Sequence, residues 1–229
     1  MSYQDTKEII NYLEKITSRG YSHYQVFDDW LDLMITALMT DDKNYLEVMG
    51  RYKNDGEYGK READYFKEAF HKLQEVMAIT NDEFLGEIYQ LWNIQNKHTG
   101  QFFTPKAIAK MVNEINGVGK GRILDPACGA GIMLIEGAKL LSRDDLYESF
   151  FVGQDIDSTC VKMCALNMCF FNLNGYAIQG DSLAMQYNYG YRTTRSPWGG
   201  SIRMMTDVEL EKTRKIVEKE ITLKQEALF

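Results

Sequence analysis

Arg122-Ile123-Leu124-Asp125-Pro126-Ala127-Cys128-Gly129-Ala130-Gly131 constrains the fold of this chain more than any other stretch. An apolar run ends in an acid and passes directly into a glycine turn, the pattern of a strand, a tight loop and a helix starting near Ile132. Gly129 and Gly131 let the backbone turn sharply and let a ligand lie against it, while the first amides of the helix point at the same place. The segment therefore predicts a site for a nucleotide-type cofactor in an α/β fold. Spacing weakens two phosphate-binding alternatives. The dinucleotide pattern G-x-G-x-x-G would need glycine where Leu134 stands, and no Gly-Lys-Ser/Thr ending of a P-loop occurs.

Two more strand-and-acid segments follow. Phe150 to Gly153 predicts a second buried strand running into Gln154-Asp155-Ile156-Asp157. An acid at the end of the second strand, about twenty residues past a glycine loop, can accept hydrogen bonds from ribose hydroxyls, which makes Asp155 the candidate. Asp157 is read as the N-cap of the next helix, whose apolar positions include Met163, Leu166, Met168 and Phe170. Tyr176 to Gln179 predicts a third strand, followed by Gly180-Asp181-Ser182-Leu183. Upstream, Thr104 and Pro105 predict a helix start, with Ile108, Met111, Val112 and Ile115 at helical spacing.

Asp125-Pro126-Ala127-Cys128-Gly129-Ala130-Gly131 resembles motif I of S-adenosylmethionine-dependent methyltransferases, in the form found in N6-adenine DNA methyltransferases such as the modification subunits of type I restriction systems. Thr99 to Pro105 is similar to motif X of that family, and the Asp155 and Asp181 segments follow in the family's order. The resemblance implies a Rossmann-like S-adenosylmethionine-binding core, here with a partial sheet. It implies that Phe102, Phe103 and Thr104 lie near the methionine end of the cofactor, with Asp125, Ala127, Gly129 and Gly131 against its methionine part. It places Asp155 and Ile156 at the ribose, and Asp181 with Ser182 at the adenine amino group.

One family feature is missing. The catalytic Asn/Asp/Ser-Pro-Pro-aromatic motif grips the target adenine and sharpens its amino nitrogen as a nucleophile. Prolines occur only at positions 105, 126 and 197, so no Pro-Pro pair exists. Ser196-Pro197-Trp198 is the nearest approach, readable as a degenerate catalytic motif or as a plain loop turn. The residues before it lack the aliphatic run of a buried parallel strand. Three functions stay open: an adenine-N6 DNA methyltransferase, acting alone or completed by a partner; a cofactor-binding pseudo-methyltransferase with a regulatory or assembly role; and a structural interaction protein without a ligand, against which Asp125, Gly129, Gly131, Asp155 and Asp181 speak.

The rest of the chain sets the frame. Residues 1–97 carry apolar and aromatic residues at three-four spacing, among them Ile9, Leu13, Phe27, Trp30, Phe66 and Leu73, and predict an all-helical domain. The core is assigned to 98–185, and 186–229 to loop and a charged helix. A net charge of −7 opposes DNA binding by the chain alone, so DNA is expected through a partner or specificity subunit, in a hetero- or homo-oligomer. Arg192, Arg195 and Arg203, interleaved with tyrosines and Trp198, could hold single strands or could fold back on the core. The four cysteines lack metal-ligand spacing and are read as reduced and buried; no metal is expected. With no membrane-length apolar run and no signal-peptide character at Met1 to Asp5, a cytoplasmic location is expected.

Overall fold

The computed structural model of the protein describes residues 2–92 and 103–226. The chain divides into two compact units, Met1–Pro105 and Lys106–Phe229. The first is helical: α1 (Ser2–Thr17), α2 (His23–Met39), α3 (Asp42–Met49), α4 (Glu62–Thr80) and α5 (Leu85–Leu91). Ser22 caps α2 by accepting the Gln25 amide, and Asp41 caps α3 by accepting that of Asn44. Ile9, Leu13, Ile16, Phe27, Trp30, Leu31 and Leu73 are all essentially inaccessible and form the core that their spacing predicts. A buried acid sits within it: Asp29 receives the Tyr52 hydroxyl at 2.7 Å and pairs with Arg51.

The second unit opens with α6 (Lys106–Asn116) and continues through β1 (Arg122–Asp125), α7 (Ile132–Leu140), α8 (Arg143–Tyr147), β2 (Phe150–Asp155), α9 (Ser158–Phe170) and β3 (Gly175–Gln179). It ends in β4 (Tyr189–Thr194), β5 (Ser201–Met204) and α10 (Asp207–Glu226). The strands make one mixed sheet in the order β1-β2-β3-β4-β5, parallel from β1 to β3 and antiparallel from β3 to β5. α9 packs on β2 to β5 and touches α7, which packs on β1, so both crossover helices cover one face. On the other face Val152, Ile178 and Met205 form a small core with Leu210 of α10.

Two features differ from what the sequence predicts. The segment from Tyr187 to Arg203, expected as loop, forms the β4–β5 hairpin. A parallel central strand needs apolar residues on both faces, whereas an antiparallel strand, here paired between β3 and β5, tolerates the alternation Tyr189-Gly190-Tyr191-Arg192-Thr193-Thr194. In α6 the apolar stripe is not the packed face: Ile108, Met111 and Ile115 are exposed and Ala109 is buried. Asn113 sets the orientation by donating to the Met133 carbonyl at 3.0 Å, next to Gly137, which leaves room for it.

Candidate cofactor-binding site

Parallel strands deliver their carboxyl ends to one edge of the sheet, and there the three acids stand: Asp125 at the end of β1, Asp155 at the end of β2, and Asp181 two residues past β3. The glycine loop is tied down from several sides. Cys128 donates its amide to the Gln154 carbonyl at 2.9 Å, Asn167 donates to the Ala130 carbonyl at 2.9 Å, and Gly131 donates to the Cys128 carbonyl at 2.7 Å. Gly129 (φ +51°) and Gly131 (φ +87°) are both left-handed, and a Cβ on Gly131 would stand 3.0 Å from the Cys164 thiol.

The acids are part of this framework. Asp155 accepts the Gly129 amide at 2.8 Å and that of Asp157 at 2.9 Å, one on each carboxylate oxygen. Asp125 accepts the Ala127 amide at 3.1 Å. Burial pushes both carboxyls above their ordinary value; the amide bonds oppose the shift, and the Asp155 charge adds to it at Asp125. The pair is an electronegative corner that a cation would relieve. Asp157 is the N-cap of α9, accepting the amides of Thr159 and Cys160, as its spacing predicts. Asp181 accepts the amides of Leu183 and Ala184 on Oδ1, which closes its own loop.

Ile156 is 64% and Leu183 96% exposed, so each carboxyl-edge loop after β2 and β3 presents an apolar side chain beside its acid. Polar side chains to which the sequence assigned no role hold these loops. Gln179 donates to the Ile156 carbonyl at 2.8 Å and accepts from Asn188 at 2.7 Å. Gln154, buried in β2, donates to the carbonyls of Gly180 and Gln186. The available signal was a glutamine ending the apolar run Phe150 to Gly153.

Phe102 falls outside the described residues. Phe103 and Thr104 belong to the first unit, where the Phe103 ring meets Tyr89 edge-on at 5.4 Å. Ala127 and Ser182 stand in the first and third carboxyl-edge loops. Ser196, Pro197 and Trp198 are at the opposite end of the sheet. Because β4 runs antiparallel to β3, with Gln179 opposite Tyr189 and Gly175 opposite Thr193, the turn after Thr194 returns to the amino end of the parallel strands. Asn172, just past α9, holds Ser196 there by two hydrogen bonds of 2.9 and 3.0 Å. The tripeptide therefore stands at the end of the sheet opposite Asp125, Asp155 and Asp181.

The three arginines of the hairpin are engaged within the chain. Arg192 and Arg203 both pair with Glu209, at 2.6 and 2.7 Å, and Arg195 lies 4.2 Å over the Tyr147 ring. All four cysteines are free and buried, and burial pushes Cys169 up to about 11. Among the described residues no cluster of metal-ligating side chains occurs, and no helix is long and apolar enough to cross a membrane.

Residues 80–195 match the family model described as N-6 DNA Methylase. The MjaIX methylase subunit of a type I restriction enzyme from Methanocaldococcus jannaschii is 27% identical over 137 residues, covering 57% of this chain and 24% of the relative. The MpnII methylase subunit of a type I restriction enzyme from Mycoplasma pneumoniae is 30% identical over 124 residues, covering 52% of this chain and 20% of the relative. The chain thus spans a quarter or less of the length of these relatives. A crystallised modification subunit from Vibrio vulnificus YJ016 overlaps 72% of this chain and 53% of its own, with a TM-score of 0.40 and 14% identity.

Proposed function

The chain belongs to the N-6 DNA methylase family, and on that premise we propose that its second unit binds S-adenosylmethionine at the carboxyl edge of β1 to β3, as the cofactor-holding part of an adenine-N6 DNA methyltransferase. The observation that carries this reading is the alignment of Asp125, Asp155 and Asp181 along one edge of three adjacent parallel strands, with the Gly129 amide bonded to Asp155. The donor set fits the group. Asp125 and Asp155 offer two half-buried carboxylates to a ligand whose sulfonium and ammonium are both positive. Asp155 keeps lone pairs for ribose hydroxyls, Ile156 and Leu183 offer apolar surface to a flat base, and Asp181 offers an acceptor to its amino group.

When bound, the cofactor supplies a methyl group on positively charged sulfur, ready for displacement by a nitrogen nucleophile. The work of this chain is to hold that ligand: the glycine loop admits it closely, and the carboxylates fix its ends. DNA is met through a partner or specificity subunit, because a net charge of −7 and internally paired arginines give the chain little attraction for phosphate.

One observation favours a second reading. The chain has no Pro-Pro pair, and Ser196 to Trp198 sits at the wrong end of the sheet to reach a methyl group at the glycine loop. A cofactor-binding protein without transfer of its own has the same geometry.

Two experiments separate the readings. Calorimetric titration with S-adenosylmethionine tests the site: Asp155→Ala is expected to weaken binding by about 1–3 kcal/mol, and unchanged affinity removes Asp155 from it. Transfer of labelled methyl to unmethylated duplex DNA, alone and with a type I specificity subunit, tests the reaction. N6-methyladenine formed only with the partner supports an enzyme completed in assembly, and binding without transfer in either case supports the pseudo-enzyme.

A further inference from the structure

Gln154 is 3% exposed and is the penultimate residue of β2. Its backbone carbonyl accepts the Cys128 amide of the glycine loop, and its side-chain nitrogen donates to the Gly180 carbonyl at 3.3 Å and the Gln186 carbonyl at 2.9 Å. Those two carbonyls are the two ends of the loop that carries Asp181. The same loop is closed by the Gln186 amide on the Asp181 carbonyl at 2.9 Å. Its neck is so narrow that a Cβ on Gly180 would lie 1.9 Å from the Gln186 oxygen.

We propose that Gln154 is a positioning residue for the adenine end of the cofactor site, holding the Gly180–Gln186 loop so that the Asp181 carboxylate is presented to the amino group of the base. The proposal rests on the cofactor reading given above. Two donors on one neutral nitrogen match one buried and one partly buried carbonyl, and few side chains of this length could replace them. Methionine has the length but no donor, glutamate would set a negative oxygen against two carbonyls, and asparagine is one methylene short. Because Asp155 is the next residue on the same strand and receives Gly129, β2 supports two parts of the site, one through the Asp155 carboxylate and one through the loop that Gln154 holds.

Calorimetric titration of the full chain and of Gln154→Met with two ligands tests this: S-adenosylhomocysteine, and S-inosylhomocysteine, in which oxygen replaces the amino group of the base. The wild-type chain is expected to prefer the adenosyl ligand by at least about tenfold, the worth of a hydrogen bond to a charged acceptor. In Gln154→Met that preference is expected to fall below about threefold, with both ligands still binding. A tenfold preference retained in the variant overturns the proposal, and so does an equal loss of affinity for both ligands, which is the mark of a merely structural role. If the wild-type chain binds both ligands equally, the positioning role fails while the cofactor reading stands. If it binds neither, both fail. Should Gln154→Met not fold, Gln154→Asn, which cannot span both carbonyls, is held to the same loss of preference, and hydrogen exchange in the wild-type chain is expected to slow at the Leu183 and Ala184 amides on adding S-adenosylhomocysteine. Exchange there unchanged by a bound ligand overturns the proposal.

Discussion

Replacing Glu209 should detach the β4–β5 hairpin from α10, and the cost can be worked out contact by contact. Glu209 closes a capping box at the start of α10: its carboxylate accepts the Thr206 amide at 2.9 Å while the Thr206 hydroxyl accepts the Glu209 amide at 3.3 Å. The same carboxylate pairs with Arg192 of β4 and Arg203 of β5. Glu209→Ala leaves the Thr206 amide without its acceptor, about 1 kcal/mol. It also removes two ion pairs whose arginines are 36% and 47% exposed, so solvent screening holds each to about 0.5 kcal/mol. The expected loss is about 2 kcal/mol, on the order of 5–10 °C in Tm for a unit of this size. Glu209→Gln keeps an acceptor for Thr206 and should lose about half as much. Hydrogen bonding to Arg203 holds the Glu209 carboxyl well below its ordinary value of 4.5. The stabilisation is therefore full above pH 4.5 and is lost as pH falls toward the folded-state value, so the gap between wild type and Glu209→Gln should close in acid. Urea unfolding should show a lower midpoint at unchanged m-value, and 1 M salt should shrink the difference. Equal stabilities for Glu209→Ala and wild type at pH 7, or a gap between wild type and Glu209→Gln that widens in acid, would refute the reasoning.

Asp125→Asn keeps an oxygen for the Ala127 amide but removes a half-buried charge that is repelled by the charge of Asp155. Because the folded-state pKa of Asp125 is raised, its ionisation costs stability as pH rises through that value. The variant should therefore melt above wild type at pH 8, with the gap closing in acid. Its affinity for S-adenosylmethionine should fall more than that for S-adenosylhomocysteine, which lacks the sulfonium charge; a calorimetric loss equal for the two would count against a carboxylate-cation contact. Trp198→Ala, at a side chain 97% exposed, should change stability by less than about 0.5 kcal/mol and leave cofactor affinity as it was. Any methyl transfer shown by the wild type in complex should persist, and its loss would return the tripeptide to the active site.

The parallel half of the sheet was legible because its signals are local. Asp125, Asp155 and Asp181 each follow a short apolar run, and the residues after them announce a turn or a cap, so strand ends and acids were found together. The hairpin was not legible, because Tyr189-Gly190-Tyr191-Arg192 has neither an aliphatic run nor a tight two-residue turn; its strands are held by pairing with β3 and by Glu209, a residue in another element. The end of the sheet at which the tripeptide 196 to 198 lies was not legible for the same reason. Sequence supplies the residue types of a motif, but the direction of the strand before it decides which end of the sheet it reaches. Gln154, Gln179 and Asn188 were passed over because a single amide in or beside a strand has no pattern until its partners are known.

That dependence on direction also explains how this unit divides its labour. A ligand at the carboxyl edge of parallel strands can be met only by loops that leave that edge, and β1, β2 and β3 contribute Asp125 with the glycines, Asp155 with Ile156, and Asp181 with Leu183. The antiparallel β4 reverses the sense: Asn188, just before it, braces Gln179 and through it the Ile156 carbonyl, while its end carries Ser196 to Trp198 away from that edge. A base-gripping motif on the hairpin turn would face the wrong edge whatever its residues were. On the proposed function, residues that hold a target adenine against the glycine loop would arrive on the carboxyl edge from another direction, so substitutions in the hairpin should affect folding before they affect chemistry.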